Sequence, residues 1–280
     1  MILFKYVLSF LLILVTFFSV FSQKNAVEVN INLQQINRSY GVKSSILIFN
    51  QRKNKLTTND TSLFKSPVSP IGTFFLFESL IGLESGIIKD TAELIPFEFQ
   101  EKSAFSDELT IDQSLIIALK HQTQWYFKKV ANALKDEKLK NWLTLMGYGN
   151  KDLSGGIDVC WNNNSLLITP YQQFEFLKRL YYYNLPFSFE NMRFVRNAFE
   201  AKHFKNKNIY TYKSSFNSSG KQIFWYLGYI EYINNTYFIV HCIEGNAKKG
   251  NSYLETIQSE ILFGSLKELG IVDDDMCGKL

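Results

Sequence analysis

Gly147-Tyr148-Gly149-Asn150, followed by Leu153-Ser154-Gly155-Gly156-Ile157-Asp158 and then Trp161, is the stretch on which the reading of this chain turns. Tyr148-Gly149-Asn150 reads as a turn. Before it, Leu139 to Met146 has the pattern of a short helix. After it, Thr169 to Tyr183 is predicted helical, with Phe174, Leu177 and Leu180 at core spacing. Further upstream, residues 110–147 read as helical, with Thr110 and Asp112 as candidate caps. Gly72 to Ile87 is a long apolar segment that ends at Ser85-Gly86, the signature of a buried helix.

Strand signals lie toward both ends. Ser45 to Phe49 is a short apolar run bounded by Asn50-Gln51-Arg52-Lys53-Asn54. Ile223 to Glu231 and Thr236 to Ile243 read as a hairpin turning at Asn234-Asn235. A helix over about Leu254 to Leu269 follows. One early strand, a helical middle, a hairpin and a last helix predict an α+β domain, in which strands from both ends form a central antiparallel sheet beside a helical subdomain.

Composition supports a large core. Of the 280 residues, 46% are hydrophobic and 16% aromatic, and the formal net charge is +4. That charge is too small and scattered for a nucleic-acid partner; Lys202, Lys205 and Lys207 read as a solvated face. The N-terminus stands apart. Lys5 precedes an apolar run from Val7 to Phe21, and Ser22 offers a small residue before Gln23 and Lys24. Residues 1–22 therefore read as a cleaved signal peptide, residues 23–44 as a polar, partly irregular segment, and 45–280 as the domain. The expected location is periplasmic or secreted, with membrane association only if the leader stays uncleaved. Cys160, Cys242 and Cys277 leave at least one thiol unpaired, and neither they nor His121, His203 and His241 have metal-ligand spacing. No metal and no cofactor is expected.

The residues resemble the class D (oxacillinase) serine β-lactamases and their penicillin-binding relatives. Ser69-Pro70-Ile71-Gly72-Thr73-Phe74-Phe75 lies where that family has S-P-A-S-T-F-K, and Ser79 to Gly86 resembles its S-L-I-A-L-E-S-G. The block from Gly147 to Trp161 resembles its Y-G-N and D-I-S-G-G-I-D-x-x-W. Ser165 to Thr169, Gln172-Gln173, Leu185-Pro186-Phe187 and Gly220 to Glu231 extend the similarity over about residues 45–272. The resemblance implies the serine β-lactamase and penicillin-binding-protein fold.

It also implies chemistry for which the residues are missing. In the family a serine attacks the β-lactam carbonyl, and a lysine one helical turn on is the base. Gly72 and Phe75 stand at those positions, with no hydroxyl and no proton acceptor. Gln122, in His121-Gln122-Thr123, takes the place of the relay serine, and an amide does not titrate near neutral pH. The family's K-T-G is placed at Lys213-Ser214-Ser215, which retains a charge and hydroxyls but not the glycine. The family's carboxylate-binding arginine near the last helix has no counterpart, since no arginine follows Arg196. Trp161, which contacts the modified lysine in the family, is expected to pack on Phe75 instead.

Lys213, Ser214, Ser215, Gln122 and Trp161 are thus the ligand-cleft candidates, and no intact catalytic set is expected. A second S-x-x-K string, Ser62-Leu63-Phe64-Lys65, is separated from the long helix by Pro67 and Pro70 and reads as chance. Three functions stay open. One is an inactive member kept as a binding or interaction module. Another is a β-lactam hydrolase or acyl-enzyme former using Ser214, Ser215 or Lys213. The third is a noncovalent receptor for a β-lactam or cell-wall peptide.

Overall fold

The computed structural model describes residues 26–98, 110–218, 221–246, 251–278 and 280. Seven strands form one sheet: β1 (Ala26–Val29), β2 (Lys43–Asn50), β3 (Lys55–Thr58), β4 (Glu200–His203), β5 (Lys207–Ser218), β6 (Lys221–Tyr232) and β7 (Asn235–Asn246). Their order is β1-β3-β2-β7-β6-β5-β4. The expected joining of the two ends of the chain is seen where β2 pairs with β7 from Lys43↔Glu244 to Asn50↔Tyr237.

Helix α1 (Ile31–Ser39) and the last helix, α8 (Asn251–Glu268), pack on one another. Between β3 and β4 run α2 (Phe74–Glu84), α3 (Leu115–His121), α4 (Gln124–Leu134), α5 (Asp136–Met146), α6 (Pro170–Tyr181) and α7 (Phe189–Arg196). Strand β2 shows how the layers are sorted. Ile46 and Ile48 join the cluster with Leu262 and Leu266 of α8, while Leu47 and Phe49 join the cluster with the helical middle. A strand buried on both faces reads as a continuous apolar run, which is why Ile46 to Phe49 shows no alternation. These features establish the α+β class.

Three expectations are corrected. The sheet is not wholly antiparallel, because β1 runs parallel to β3, from Ala26↔Lys55 to Val29↔Thr58. Residues 26–44 are not a separate irregular segment. Asn30 caps α1 by accepting from the backbone N–H groups of Asn32 and Leu33, and β1 and α1 are built into the sheet and the α8 layer. Thr110 and Asp112 do not cap α3; Ser114 precedes it, and the Asp112 carboxylate accepts from the Phe97 N–H instead. The apolar leader lies outside the described residues. Among the described residues no helix is long and apolar enough to cross a membrane.

The helix over Phe74–Glu84 is apolar on every side, which suits a central element rather than a surface one. Phe74, Phe75, Phe77, Leu80 and Ile81 are all fully buried. Helix α6 starts on a capping box between Thr169 and Gln172 with Pro170 in the first turn. The next residue, Gln173, donates from Nε2 to Thr73 Oγ1 at 2.7 Å and so ties α6 to the turn that leads into α2.

Two buried ionisable groups sit in this core. His241, on β7 beneath α8, contacts Ser44 Oγ through Nε2 at 2.8 Å, and the Ser44 hydroxyl donates to Asn37 Oδ1 at 2.6 Å. That arrangement makes His241 the donor, and burial lowers its pKa to about 3. Glu78, on α2, is fully buried, neither carboxyl oxygen has a hydrogen-bond partner among the described residues, and burial raises its pKa well above the usual carboxylate range. The unfolded chain binds a proton at His241 below about pH 6.5 while the folded chain does not, so this group withdraws stability as pH falls toward 3. Glu78 has the opposite sign. Its neutral form suits the core, and stability is lost as pH rises above the unfolded carboxylate pKa toward the raised folded one. His241→Gln should remove about 2 kcal/mol of the acid-side loss between pH 7 and pH 5. Glu78→Gln should flatten the alkaline limb. Urea titrations across pH 4–9 check both through their slopes.

Candidate functional site

Gly72 lies in the 3-10 turn Ile71–Thr73 that runs directly into α2. Ile71, a β-branched residue, holds φ 44° there, a left-handed backbone that such residues rarely adopt. The turn is pinned from several directions. The Ile71 N–H donates to the Trp161 carbonyl at 3.0 Å, Trp225 Nε1 donates to the Ser69 carbonyl at 2.9 Å, and the Tyr212 hydroxyl donates to the Gly72 carbonyl at 3.3 Å.

The space where a side chain on residue 72 would stand is occupied. A Cβ added to Gly72 would overlap Gln122 Oε1 and would meet Ser214 Oγ at 2.6 Å and Phe216 Cε2 at 2.9 Å. Gln122 reaches this point because it ends α3 in a left-handed conformation, φ 52°, and its Nε2 donates to the Lys213 carbonyl. Its amide thus satisfies the edge of β5 and fills the gap above Gly72 together. The sequence reading brings Gly72, Gln122 and Ser214 together, and the structure does the same.

Phe75, one turn along, is stacked on Phe127 of α4 with ring centroids 4.1 Å apart and planes 7° from parallel. Trp161 meets it edge-on at 4.9 Å, as expected, and Phe216 closes the group at 5.8 Å from Trp161. Where the family resemblance calls for an ionisable base, four rings make a dry cluster. Trp161 is only 1% exposed, so it is a core residue and not part of an open cleft. Its Nε1 is buried with no partner among the described residues, a donor left without an acceptor beside Phe75.

Lys213 and Ser215 turn their side chains to the other face of the sheet, although Lys213 also lines the cavity beside Gln122. Side chains alternate along a strand. Ser214 and Phe216 pair across β6 with Trp225 and Ile223, on the helical-subdomain face that holds Gly72. Lys213 and Ser215 pair with Tyr226 and Phe224, which belong to the clusters under α8. Lys213 Nζ donates to the Leu280 carbonyl at 2.8 Å, and its burial there lowers its pKa. Only its backbone carbonyl serves the Gly72 side. Sequence order alone does not say which face of the strand each of these side chains takes. Phe127 and Phe216 were missed because phenylalanine carries no chemical signal; only their meeting with Phe75 gives them a role.

Ser62 and Lys65 do not form a second site. Ser62 Oγ donates to Asp60 at 2.6 Å, and Lys65 lies over the Phe64 ring at 5.4 Å. No cluster of His, Cys, Asp or Glu among the described residues is arranged to hold a metal. Beside Gln122 there remains a cavity of about 650 Å³, lined by Ile116, Leu119, Phe199 and Tyr212 together with Gln122 and Lys213.

A helical subdomain against a mixed sheet, with the turn into a buried helix facing strand β5, is the β-lactamase and penicillin-binding architecture. Residues 42–209 match the family described as the penicillin binding protein transpeptidase domain, and the chain belongs to that family. It is similar to the regulatory protein BlaR1 of Bacillus licheniformis, 27% identical over 80% of this chain, and spans 37% of that longer protein. Its fold is similar to the crystal structure of the class D β-lactamase of Sebaldella termitidis, with a TM-score of 0.78, 26% identity and coverage of 89% of this chain and all of that one. It is also similar to the C-terminal domain of the Bacillus licheniformis BlaR penicillin-receptor, with a TM-score of 0.75 and 23% identity, over 90% of this chain and all of that one.

Gly72→Ala and Gly72→Ser should each destabilise the protein by about 1–3 kcal/mol through overpacking against Gln122 and Phe216. Gln122→Gly should relieve part of that loss when combined with either. Chemical denaturation of the single and double variants measures the coupling.

Proposed function

We propose that this chain is a non-hydrolytic member of its family, exported from the cytoplasm and kept as a binding or interaction module. The observation that carries the reading is the filling of the position above Gly72 by Gln122, Ser214 and Phe216. A missing hydroxyl removes the nucleophile; a filled site also removes the room for a carbonyl to approach one. Phe75 in its aromatic cluster leaves no base, and the Gln122 amide is neither acid nor base near neutral pH. Each loss alone is expected to remove several orders of magnitude in rate. The apolar run from Val7 to Phe21 supports export. Fold and activity separate readily, so a well-kept scaffold is consistent with lost chemistry.

A second reading, a noncovalent receptor for a β-lactam or cell-wall peptide, is favoured by the cavity of about 650 Å³ that opens beside Gln122. Gln122, Thr211 and Lys213 are among the polar residues on its wall and would meet the amide and carboxylate of such a ligand. The relatives whose names include a penicillin-receptor and a regulatory protein point the same way.

Incubation with nitrocefin and with a fluorescent penicillin, followed by intact-protein mass spectrometry, tests the main reading. The expected result is no hydrolysis and no mass gain; an adduct on Ser214 or Ser215 would overturn it. Gly72→Ser with Phe75→Lys should stay inactive, because Gln122 still occupies the relay position. Thermal-shift titration with penicillins and D-Ala-D-Ala peptides separates the receptor reading, which requires a rise in Tm, from an interaction module, which gives flat curves.

A further inference from the structure

At the other end of β5 lies a second, solvent-open cavity of about 810 Å³, formed by the β2–β3, β4–β5 and β6–β7 turns. Lys207, on its wall, is seven residues along the strand from Ser214, about 23 Å at the usual rise. It is therefore separate from the Gly72 region and independent of the function proposed for it.

Three cations line this cavity: Arg52, Lys205 and Lys207. Among the described residues, none of them forms an ion pair. Lys207 is only 6% exposed, and its ammonium lies 5.8 Å from the centre of the Tyr232 ring. The Lys207 stem is buried in the wall, and its charge, like those of Arg52 and Lys205, has no ion-pair partner among the described residues. One carboxylate, Glu231, also lines the space, but it is already engaged. Arg196 Nη2 pairs with it at 3.4 Å, and the Tyr181 hydroxyl donates to it at 2.8 Å. The remaining lining is rich in side-chain amides, Asn206 and Asn234 among them, which donate to and accept from hydroxyl groups. Its volume is in the range of small-molecule sites.

We propose that this cavity binds an anionic saccharide, a sugar carrying a carboxylate or phosphate group. Arg52, Lys205 and Lys207 meet the charge, and the asparagine amides meet the hydroxyls. A neutral sugar lacks the partner for the cations, and a bare anion lacks the hydroxyls that the amides select.

Isothermal titration of the full chain with tri-galacturonate, glucose 6-phosphate, maltotriose and inorganic phosphate tests this. One or both charged sugars should bind, more tightly than inorganic phosphate, and maltotriose should not. The galacturonate and sugar-phosphate arms distinguish a carboxylate from a phosphate ligand. Affinity should fall as salt is raised. Arg52→Gln and Lys207→Met should each weaken binding about tenfold, the loss of one charge-assisted hydrogen bond. Arg52 is exposed, so its variant decides the matter if Lys207→Met unfolds. Binding of neither charged sugar, equal binding of inorganic phosphate or maltotriose, or unchanged affinity in Arg52→Gln would overturn the proposal.

Discussion

The stack of Phe75 on Phe127, with Trp161 against its edge, is the contact around which the centre of the protein is arranged. It joins the first turn of α2 to α4 and to the glycine-rich segment that ends at Trp161. These elements come from three distant parts of the chain, and Phe216 of β5 adds a fourth ring beside Phe75 and Trp161. Removing a buried phenylalanine costs about 3–5 kcal/mol, and placing an ammonium there would add the desolvation of a charge. The same ring that supports the fold therefore excludes a base from the site.

The residues at positions 72, 75 and 122 act together in space. Glycine at 72 leaves a gap, Gln122 fills it from a left-handed helix end, and Phe75 turns the adjoining pocket into core. Each of the three residues suits the other two, and a bulkier side chain at 72 alone would crowd Gln122 and Phe216. The strained φ at Ile71 remains although the residue after it has no side chain to present. Backbone strain of that kind persists only where surrounding contacts over-determine it, and the hydrogen bonds to Trp161, Ser69 and Gly72 do so.

Much of the fold was legible because its signals are local. The apolar run at Ile46 to Phe49, the hairpin about Asn234-Asn235, the helix from Thr169 and the apolar helix ending near Gly86 each follow from side-chain period or turn residues. The parallel pairing of β1 was not legible, since four polar and apolar residues beside a distant strand carry no signal of direction. The burial of His241 against Ser44 was not legible either, because it depends on α8 covering that face.

The residue types at 72, 75 and 122 are properties of the sequence by itself, and so is the absence of a nucleophile–base pair at the expected spacing. Whether the vacated position was open or filled was decided only by the tertiary structure, because the atoms that fill it come from α3 and β5, some 50 and 140 residues further along the chain. The facing of Lys213 was likewise a tertiary matter. A strand's pleat assigns alternate side chains to opposite faces, and a one-residue difference in register exchanges a cleft lysine for one bound to the Leu280 carbonyl.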